Sequence, residues 1–195
     1  MTIRSIAAIA AALLATGASA ADFSFTGTFP LDNSKVAYSF TLGSAGSVTL
    51  TSLGYAGGTN LAGNTVAAGG FDSVLSLYDA TGLLIDENDD VGTLGDAKLS
   101  SSLGAGSYKV YLTQYNNFGP VQLPGAFAFD GQPNFRGGFV DFNGNRRTGS
   151  WALDISGVDS VVTASVPEPA TWALMIGGFG LVGRAMRRRP AYITA

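Results

Sequence analysis

The sequence contains no cysteine and no histidine, and these absences limit the chemistry that it can perform. Without histidine there is no serine–histidine–aspartate triad and no cysteine–histidine dyad. Without either residue the usual zinc sites are excluded as well. The missing cysteines also exclude disulfide bonds, so a stable domain must depend on an apolar core.

Two carboxylates could still hydrolyse glycosides if they stood about 5–9.5 Å apart and one of them had a raised pKa. However, Glu87 is the only glutamate between residues 21 and 165, and its sequence neighbours are acids in a predicted turn. The sequence has no Gly-x-Ser-x-Gly elbow and no phosphate-binding loop. We therefore expect that the protein is not an enzyme and has no catalytic residues.

Charge is scarce and unevenly distributed. Charged residues make up 13% of the chain, whose formal net charge is −3. Between Ala21 and Ser165 there are thirteen acidic and six basic side chains, which gives this part of the chain a net charge of −7. Because such an excess repels phosphate backbones and anionic lipids, nucleic acid is excluded as an expected partner.

Strongly apolar runs are confined to the two ends of the chain. Residues 1–20 combine the positive charge of Arg4, an apolar run from Ile6 to Ala15 and the small residues Ala18-Ser19-Ala20. This order is typical of a secretory signal peptide. The run is too short to span a membrane, and no twin arginine is present, so the general secretory machinery is the expected export partner.

We predict that the signal peptide is cleaved after Ala20, because the small side chains of Ala18 and Ala20 fit a signal-peptidase site. The mature protein from the native host should therefore begin at Ala21. Mass spectrometry of the N-terminal peptide checks this, and Met1 in the exported product would contradict it.

The C-terminal apolar run is short for a membrane anchor. Crossing a hydrocarbon core of about 30 Å takes about 20 apolar residues, and the expected helix of about 170–186 falls short even if Arg184 reaches towards the interface. The basic residues at its end favour a cytoplasmic C-terminus. They are Arg184, Arg187, Arg188 and Arg189.

The apolar run follows Pro167-Glu168-Pro169 and includes Trp172-Ala173. This order resembles the PEP-CTERM sorting signal of Gram-negative bacteria in its Pro-Glu-Pro-x-x-Trp-Ala form, here over residues 166–195. The extension Pro190–Ala195 past the arginines is a departure from the pattern. The resemblance implies export, transient retention in the inner membrane, processing by an exosortase-type membrane protease, and release to the cell surface or extracellular matrix. An ordinary short tail anchor is the alternative.

Residues 21–165 predict one all-β domain. Apolar and small polar residues alternate with a period of two, which is typical of half-buried strands, and glycine-rich turns separate them. Asp79-Ala80-Thr81-Gly82 indicates a hairpin turn. These signals favour a β-sandwich. The predicted strands are Phe23–Phe29, Val36–Leu42, Val48–Leu53, Phe71–Tyr78, Leu83–Asp86, Tyr108–Thr113 and Trp151–Ile155.

Two long segments interrupt the strands, Gly54–Gly70 and Asn116–Ser150. The second is too aromatic for simple disorder. We expect it to fold back onto the sandwich with a short strand at Gly138–Phe142, and contact with a ligand is the alternative. Its six phenylalanines are Phe118, Phe127, Phe129, Phe135, Phe139 and Phe142.

The stretch from Phe71 to Asp90, followed by Leu99–Leu103 and Gly106–Val110, resembles bacterial pre-peptidase C-terminal domains. The likeness covers roughly residues 23–115 and the strand at Trp151. It implies a jelly-roll-like β-sandwich of a secreted protein, accessory rather than catalytic. The long phenylalanine-rich segment departs from the compact form of these domains.

One acidic turn is a candidate calcium site. Asp86, Asn88 and Asp90 stand at positions i, i+2 and i+4, and calcium prefers clustered carboxylate and amide oxygens. The turn is not an EF-hand, because Val91 occupies the position of the required glycine. Asp72, Asp79 or Asp96 could complete the shell if the fold brings one of them near. A hydrated turn without an ion is the alternative.

Together these features predict a non-enzymatic exported surface protein, associated with an exopolysaccharide or biofilm matrix. The matrix role follows from the PEP-CTERM resemblance alone. The competing prediction is a carbohydrate-binding or adhesive module, in which the phenylalanine-rich segment or the acidic turn binds a polysaccharide.

Overall fold

The computed structural model describes residues 21–92 and 95–163, and this part of the chain is all-β without a helix. The expected helices of the signal peptide and of residues 170–186 lie outside the described residues. The strands, in chain order, are β1 (Ala21–Thr28), β2 (Val36–Leu42), β3 (Gly46–Ser52), β4 (Gly58–Thr59), β5 (Thr65–Val66), β6 (Ser73–Tyr78), β7 (Leu84–Asn88), β8 (Lys98–Leu103), β9 (Gly106–Gln114), β10 (Ser150–Val158) and β11 (Ser160–Thr163).

The strands form two large sheets and one small ribbon. The four-stranded sheet has the order β1-β10-β3-β8, the five-stranded sheet has the order β11-β2-β9-β6-β7, and β4 pairs with β5. The strands of the order β1-β10-β3-β8 run antiparallel to their neighbours, and so do those of the order β2-β9-β6-β7. In the pairing of β1 with β10, Phe25 lies opposite Leu153. The first strand of the domain is therefore held by one of its last.

One apolar core fills the space between the two large sheets, because alternate residues of each strand point inward. On β3 these are Val48 and Leu50, and on β10 they are Leu153 and Ile155. Fully burying one such side chain contributes roughly 1.5–3 kcal/mol. The rings of Phe25 on β1 and Tyr38 on β2 stack across the core with their centroids 4.1 Å apart.

Strand β6 is buried on both faces along its whole length. Its inward side chains Leu75 and Leu77 belong to the core. Its outward face is covered by the segment that follows β9, where the Tyr78 hydroxyl donates to the Pro120 carbonyl oxygen at 2.9 Å. The phenylalanine-rich segment, which in the structure connects the end of β9 at Gln114 to the start of β10 at Ser150, thus forms an extra layer over the five-stranded sheet.

The predicted strands are confirmed, with ends that differ by a few residues. The hairpin at Asp79–Gly82 is also confirmed, because Gly82 adopts a positive φ and Asp79 Oδ1 accepts from the amides of Thr81 and Leu83. Strand β8 carries a weaker signal, since serine fills most positions between Leu99 and Leu103.

The phenylalanine-rich segment folds back as expected but differs in detail. The predicted strand at Gly138–Phe142 is wrong: only one isolated bridge forms there, between Val140 and Arg146. Phe127 is buried and the ring of Phe139 stacks on Phe71 of the core. Phe142, by contrast, is 71% exposed, so the segment packs through some of its rings and presents another to solvent.

Candidate functional site

The predicted sorting residues lie outside the described residues, as do Ala18 and Ala20 of the signal-cleavage site. They are Pro167, Glu168, Pro169, Trp172, Arg184, Arg187, Arg188 and Arg189. The structure therefore describes the domain that these signals would deliver.

Asp32 fastens one part of the phenylalanine-rich segment to the sandwich. Its side chain is buried and accepts three backbone N–H donors from far along the chain, those of Asn134, Arg136 and Gly138, at 2.6, 3.1 and 3.2 Å. The buried carboxylate needs donors, and these backbone groups of the partly exposed loop supply them. A single carboxylate thus replaces the pairing that a neighbouring strand would supply.

Asp141 fastens the following part of the phenylalanine-rich segment, up to Arg147, and joins it to Tyr55. Its carboxylate accepts from the backbone N–H of Asn145 at 2.8 Å and from the Arg147 guanidinium at 2.8 and 2.9 Å. The Tyr55 hydroxyl also donates to it at 3.0 Å, and the guanidinium of Arg147 lies over the Tyr55 ring. Burial alone would raise the pKa of Asp141, but the hydrogen bonds from Asn145, Arg147 and Tyr55 outweigh it and hold the pKa well below its usual range.

A small acidic cleft opens beside these anchors. It consists of two adjoining cavities of about 160 and 130 Å³. Both are lined by Asp72, Asp90 and Phe142, and one of them also by Asp89. Tyr55 and Tyr115 form its aromatic walls. We call this site, formed by Asp72, Asp89 and Asp90 with the three aromatic rings, the acidic cleft.

Four separate parts of the chain build the acidic cleft, and one of them is the loop after β3, which supplies Tyr55. Asp72 directly precedes β6, and its carbonyl oxygen accepts from the Tyr115 amide at 2.8 Å. Asp89 and Asp90 directly follow β7, and Asp90 Oδ1 accepts from the Gly95 amide at 2.9 Å. Phe142 comes from the phenylalanine-rich segment. The cleft therefore exists only when the extra layer is in place.

The carboxylate of Asp72 is in an unfavourable place for a charge. It is 5% exposed, and its Oδ1 has no hydrogen-bond partner among the described residues. Burial, with the nearby carboxylates of Asp90 and Asp89, raises the pKa of Asp72 to about 7, although Arg136 lowers it. The guanidinium of Arg136 donates to the carbonyl oxygens of Val140 and Asp141. The acidic cleft thus gathers three carboxyl groups, and no cationic side chain in the described part of the chain lines it.

Of the three predicted calcium ligands, only Asp90 lies in the acidic cleft. Asn88 Oδ1 accepts from the Lys98 amide at 3.1 Å, and Asp86 Oδ2 accepts from the Ser101 hydroxyl at 3.3 Å. Both therefore face β8. The calcium site at Asp86, Asn88 and Asp90 stays a prediction, and the structure instead brings Asp90 together with Asp89 and Asp72.

The other two residues considered for that site also have structural partners. Asp79 holds the turn between β6 and β7. Asp96 is buried and accepts from the amides of Tyr55 and Ala56 at 2.9 and 2.8 Å. Over residues 21–92 and 95–163, no three acidic side chains stand close enough together to enclose a metal ion directly.

The comparison with protein families identifies the tail. Residues 165–189 match the family described as the PEP-CTERM protein-sorting motif. The chain carries a PEP-CTERM sorting motif. The match confirms the resemblance noted in the sequence, and a PEP-CTERM motif implies an exported protein that is targeted to an exosortase and has a C-terminal membrane-anchor signal. In the part of the chain that the structure describes, no helix has the length and apolar character to cross a membrane.

The comparison with solved structures concerns the domain ahead of the PEP-CTERM motif. The chain is similar to the pre-peptidase C-terminal domain of collagenase from Bacillus anthracis, the domain type that its sequence resembles. The two are 12% identical, and the similarity covers 72% of this chain and 89% of that one with a TM-score of 0.37. A likeness this low carries no conclusion about function. A search of curated proteins gave no match.

Proposed function

We propose that the protein is a non-enzymatic surface protein that the PEP-CTERM motif delivers to an exopolysaccharide or biofilm matrix. It crosses the inner membrane through the general secretory machinery, is held there briefly by its tail, and is then cut by an exosortase-type protease. The observation that carries this proposal is the family match over residues 165–189. The short apolar run and its arginines support the transient anchor, because the run is marginal for a ~30 Å hydrocarbon core.

The architecture of the delivered domain supports an accessory role. We infer a jelly-roll, because the eight main strands alternate between the sheets in the order of that fold. Without β4, β5 and β11, the sheets read β1-β10-β3-β8 and β2-β9-β6-β7. The only consecutive main strands that pair within one sheet are then β6 and β7. Jelly-rolls of this kind occur in lectin and capsid domains, which bind rather than catalyse.

A non-enzymatic role is supported by the inventory of side chains and by their use. The sequence supplies no histidine or cysteine. The single glutamate of the domain, Glu87, accepts from the Ser76 hydroxyl and the Gly119 amide at 2.7 and 2.8 Å. It therefore ties β6, β7 and the phenylalanine-rich segment together, and is not free to act on a substrate.

The sorting proposal is tested by changing Pro167-Glu168-Pro169 to three alanines. Export should continue, because the N-terminal signal acts independently. The variant should then accumulate uncut in the inner membrane and migrate above the processed protein by the mass of the residues from about 166 onward. The measurement is a fractionation blot with an antibody against the domain. The matched control changes Pro190 and Tyr192, beyond the arginines, to alanine, and it should be processed like the wild type.

One outcome overturns the proposal. If the triple-alanine protein reaches the surface at the same size as the wild type, the tail is an ordinary anchor and the proposal is wrong.

A second variant tests the role of the four arginines. Their reversal to glutamate should weaken retention in the inner membrane, because the stop signal loses its positive charge.

A carbohydrate-binding module is the second candidate, favoured by an open cavity of about 400 Å³ beside the turn between β6 and β7. The polar residues Asp79, Thr81 and Lys109 line it together with the apolar residues Leu123 and Pro124. Apolar surface beside hydrogen-bonding groups is an arrangement that suits a sugar. Binding on a glycan array that is lost in Lys109→Ala would support this candidate. An array without any binding would count against it.

A further inference from the structure

The inference begins with the buried carboxylate of Asp72. A buried acceptor without a donor costs stability, and a buried charge without a partner costs more. Asp72 Oδ1 has no hydrogen-bond partner among the described residues, although the side chain is 5% exposed. It also lines both cavities of the acidic cleft. Such a group is satisfied when a cation occupies the space in front of it.

The surroundings of Asp72 select a small, hard cation. Asp90 lines both cavities and Asp89 lines the smaller one, where the cleft offers three carboxylates and no nitrogen or sulfur ligand. Oxygen-only sites suit calcium and magnesium. Calcium accepts irregular shells of six to eight oxygens, whereas magnesium demands a near-ideal octahedron. An irregular cleft assembled from separate parts of the chain therefore favours calcium.

The size of the acidic cleft allows water to complete the shell. The cavity lined by all three carboxylates, of about 130 Å³, holds several water molecules as well as an ion. The carboxylates do not gather closely enough to enclose a metal by themselves. Calcium sites commonly include water as ligand or as a bridge to a carboxylate, and calcium sites in extracellular modules have dissociation constants of about 10⁻⁴–10⁻³ M.

We propose that the acidic cleft binds a calcium ion between Asp72, Asp89 and Asp90, with water completing its coordination. The ion connects the start of β6 to the loop after β7, beneath the rings of Tyr115 and Phe142. This site shares Asp90 with the one predicted from the spacing of Asp86, Asn88 and Asp90, and it includes Asp72, which was expected as a possible further ligand there. The proposal goes beyond sorting and does not depend on it, because every residue involved lies in the domain.

The test measures the melting temperature of the full chain, purified in a mild detergent and stripped with chelator, with and without calcium at equal ionic strength. At about a hundred times the dissociation constant, calcium should raise the melting temperature by about 5–10 °C. Asp72→Asn keeps the shape of the side chain and removes a buried charge, so it should fold. It should lose the calcium shift and weaken binding at least tenfold in a calorimetric titration with calcium chloride.

The matched control is Asp86→Asn, which removes one negative charge from the neighbouring strand but faces Ser101 on β8. It should keep the calcium shift. If Asp72→Asn does not fold, Asp90→Asn replaces it, because an amide oxygen can still accept from Gly95.

Three outcomes overturn the proposal. The first is an equal melting temperature in calcium and in chelator. The second is a calcium shift that survives Asp72→Asn, and if Asp86→Asn abolishes that shift, the ion lies on β7. The third is loss of the shift in both variants, which indicates charge screening. None of these results bears on processing at Pro167-Glu168-Pro169, so the two proposals fail separately.

Discussion

Replacing Asp141 by alanine should lower the free energy of unfolding by about 3–5 kcal/mol, because it breaks a buried ion pair and leaves the other partner uncompensated. The carboxylate is fully buried, while Arg147 is 21% exposed. The amide of Asn145 and the hydroxyl of Tyr55 lose their acceptor at the same time. Since small domains have a stability of about 5–15 kcal/mol, the loss is a large part of the total. Urea denaturation measures this loss, and the dependence of the free energy of unfolding on urea concentration should be the same in the variant and the wild type.

The matched control for Asp141 is Asp130→Ala in the same segment. Asp130 pairs with Lys35 in an ion pair whose side chains are 32% and 35% exposed, and such surface pairs contribute about 1 kcal/mol or less. Equal losses from the two variants would contradict the role assigned to Asp141.

The pH dependence of stability provides a second test of the contribution of Asp141. The pKa of Asp141 lies well below its usual range in the folded protein. The unfolded chain therefore takes up the proton first as the pH falls. The stability that Asp141 contributes is complete above the unfolded pKa of about 4 and is lost progressively below it. In Asp141→Asn this part of the acid-induced loss should be absent.

Replacing Asp32 by alanine should lower the free energy of unfolding by about 1–3 kcal/mol, because three N–H donors of a partly buried loop lose an acceptor that is itself buried. These are the amides of Asn134, Arg136 and Gly138. Asp32→Asn should also destabilise the domain, since its amide nitrogen must then face at least one of these N–H donors. Denaturant titration measures both losses.

The control for Asp32 is Asp22→Ala at an exposed position of β1, which should change stability by less than about 0.5 kcal/mol. A loss in Asp32→Asn as small as that of the control would show that the three amides do not depend on this carboxylate.

The strands could be predicted from the sequence because each buries one face and exposes the other. In β2, Phe40 and Leu42 point to the core while Thr41 between them is exposed, and this alternation is visible in the sequence itself. Strand β8 could not be found in the same way, because serines between Leu99 and Leu103 carry little apolar signal.

The acidic cleft could be predicted only in part, since the sequence indicated Asp90 and, among three further candidates, Asp72, but not their neighbours in the fold. The spacing of Asp86 and Asn88 suggested a turn, but β7 continues to Asn88 and keeps the chain extended. Residues two apart on a strand share a face but lie about 6.6 Å apart along it, so they do not converge on one ion as they would in a loop. The burial of Asp72, in contrast, depends on Tyr115 and Phe142, which only the folded chain brings near.

The packing of the phenylalanine-rich segment was predicted in outline only. Its aromatic content indicated that it would be ordered, and the burial of Phe127 agrees. The sequence could not show that two carboxylates hold it, because Asp32 and its backbone donors are separated by more than a hundred residues. Long-range hydrogen bonds of this kind leave no local pattern.

The position of β10 inside its sheet decides when the domain can fold. This strand lies between β1 and β3, and Ala21 at the start of the domain is opposite Val158 near its end. A chain that enters the periplasm from its N-terminus therefore cannot complete the four-stranded sheet until nearly all of it has crossed. Pairing across such a sequence distance is slow. The domain therefore cannot close before the tail reaches the membrane, and a protease acting on the tail, as proposed above, would meet a domain that is still completing its four-stranded sheet.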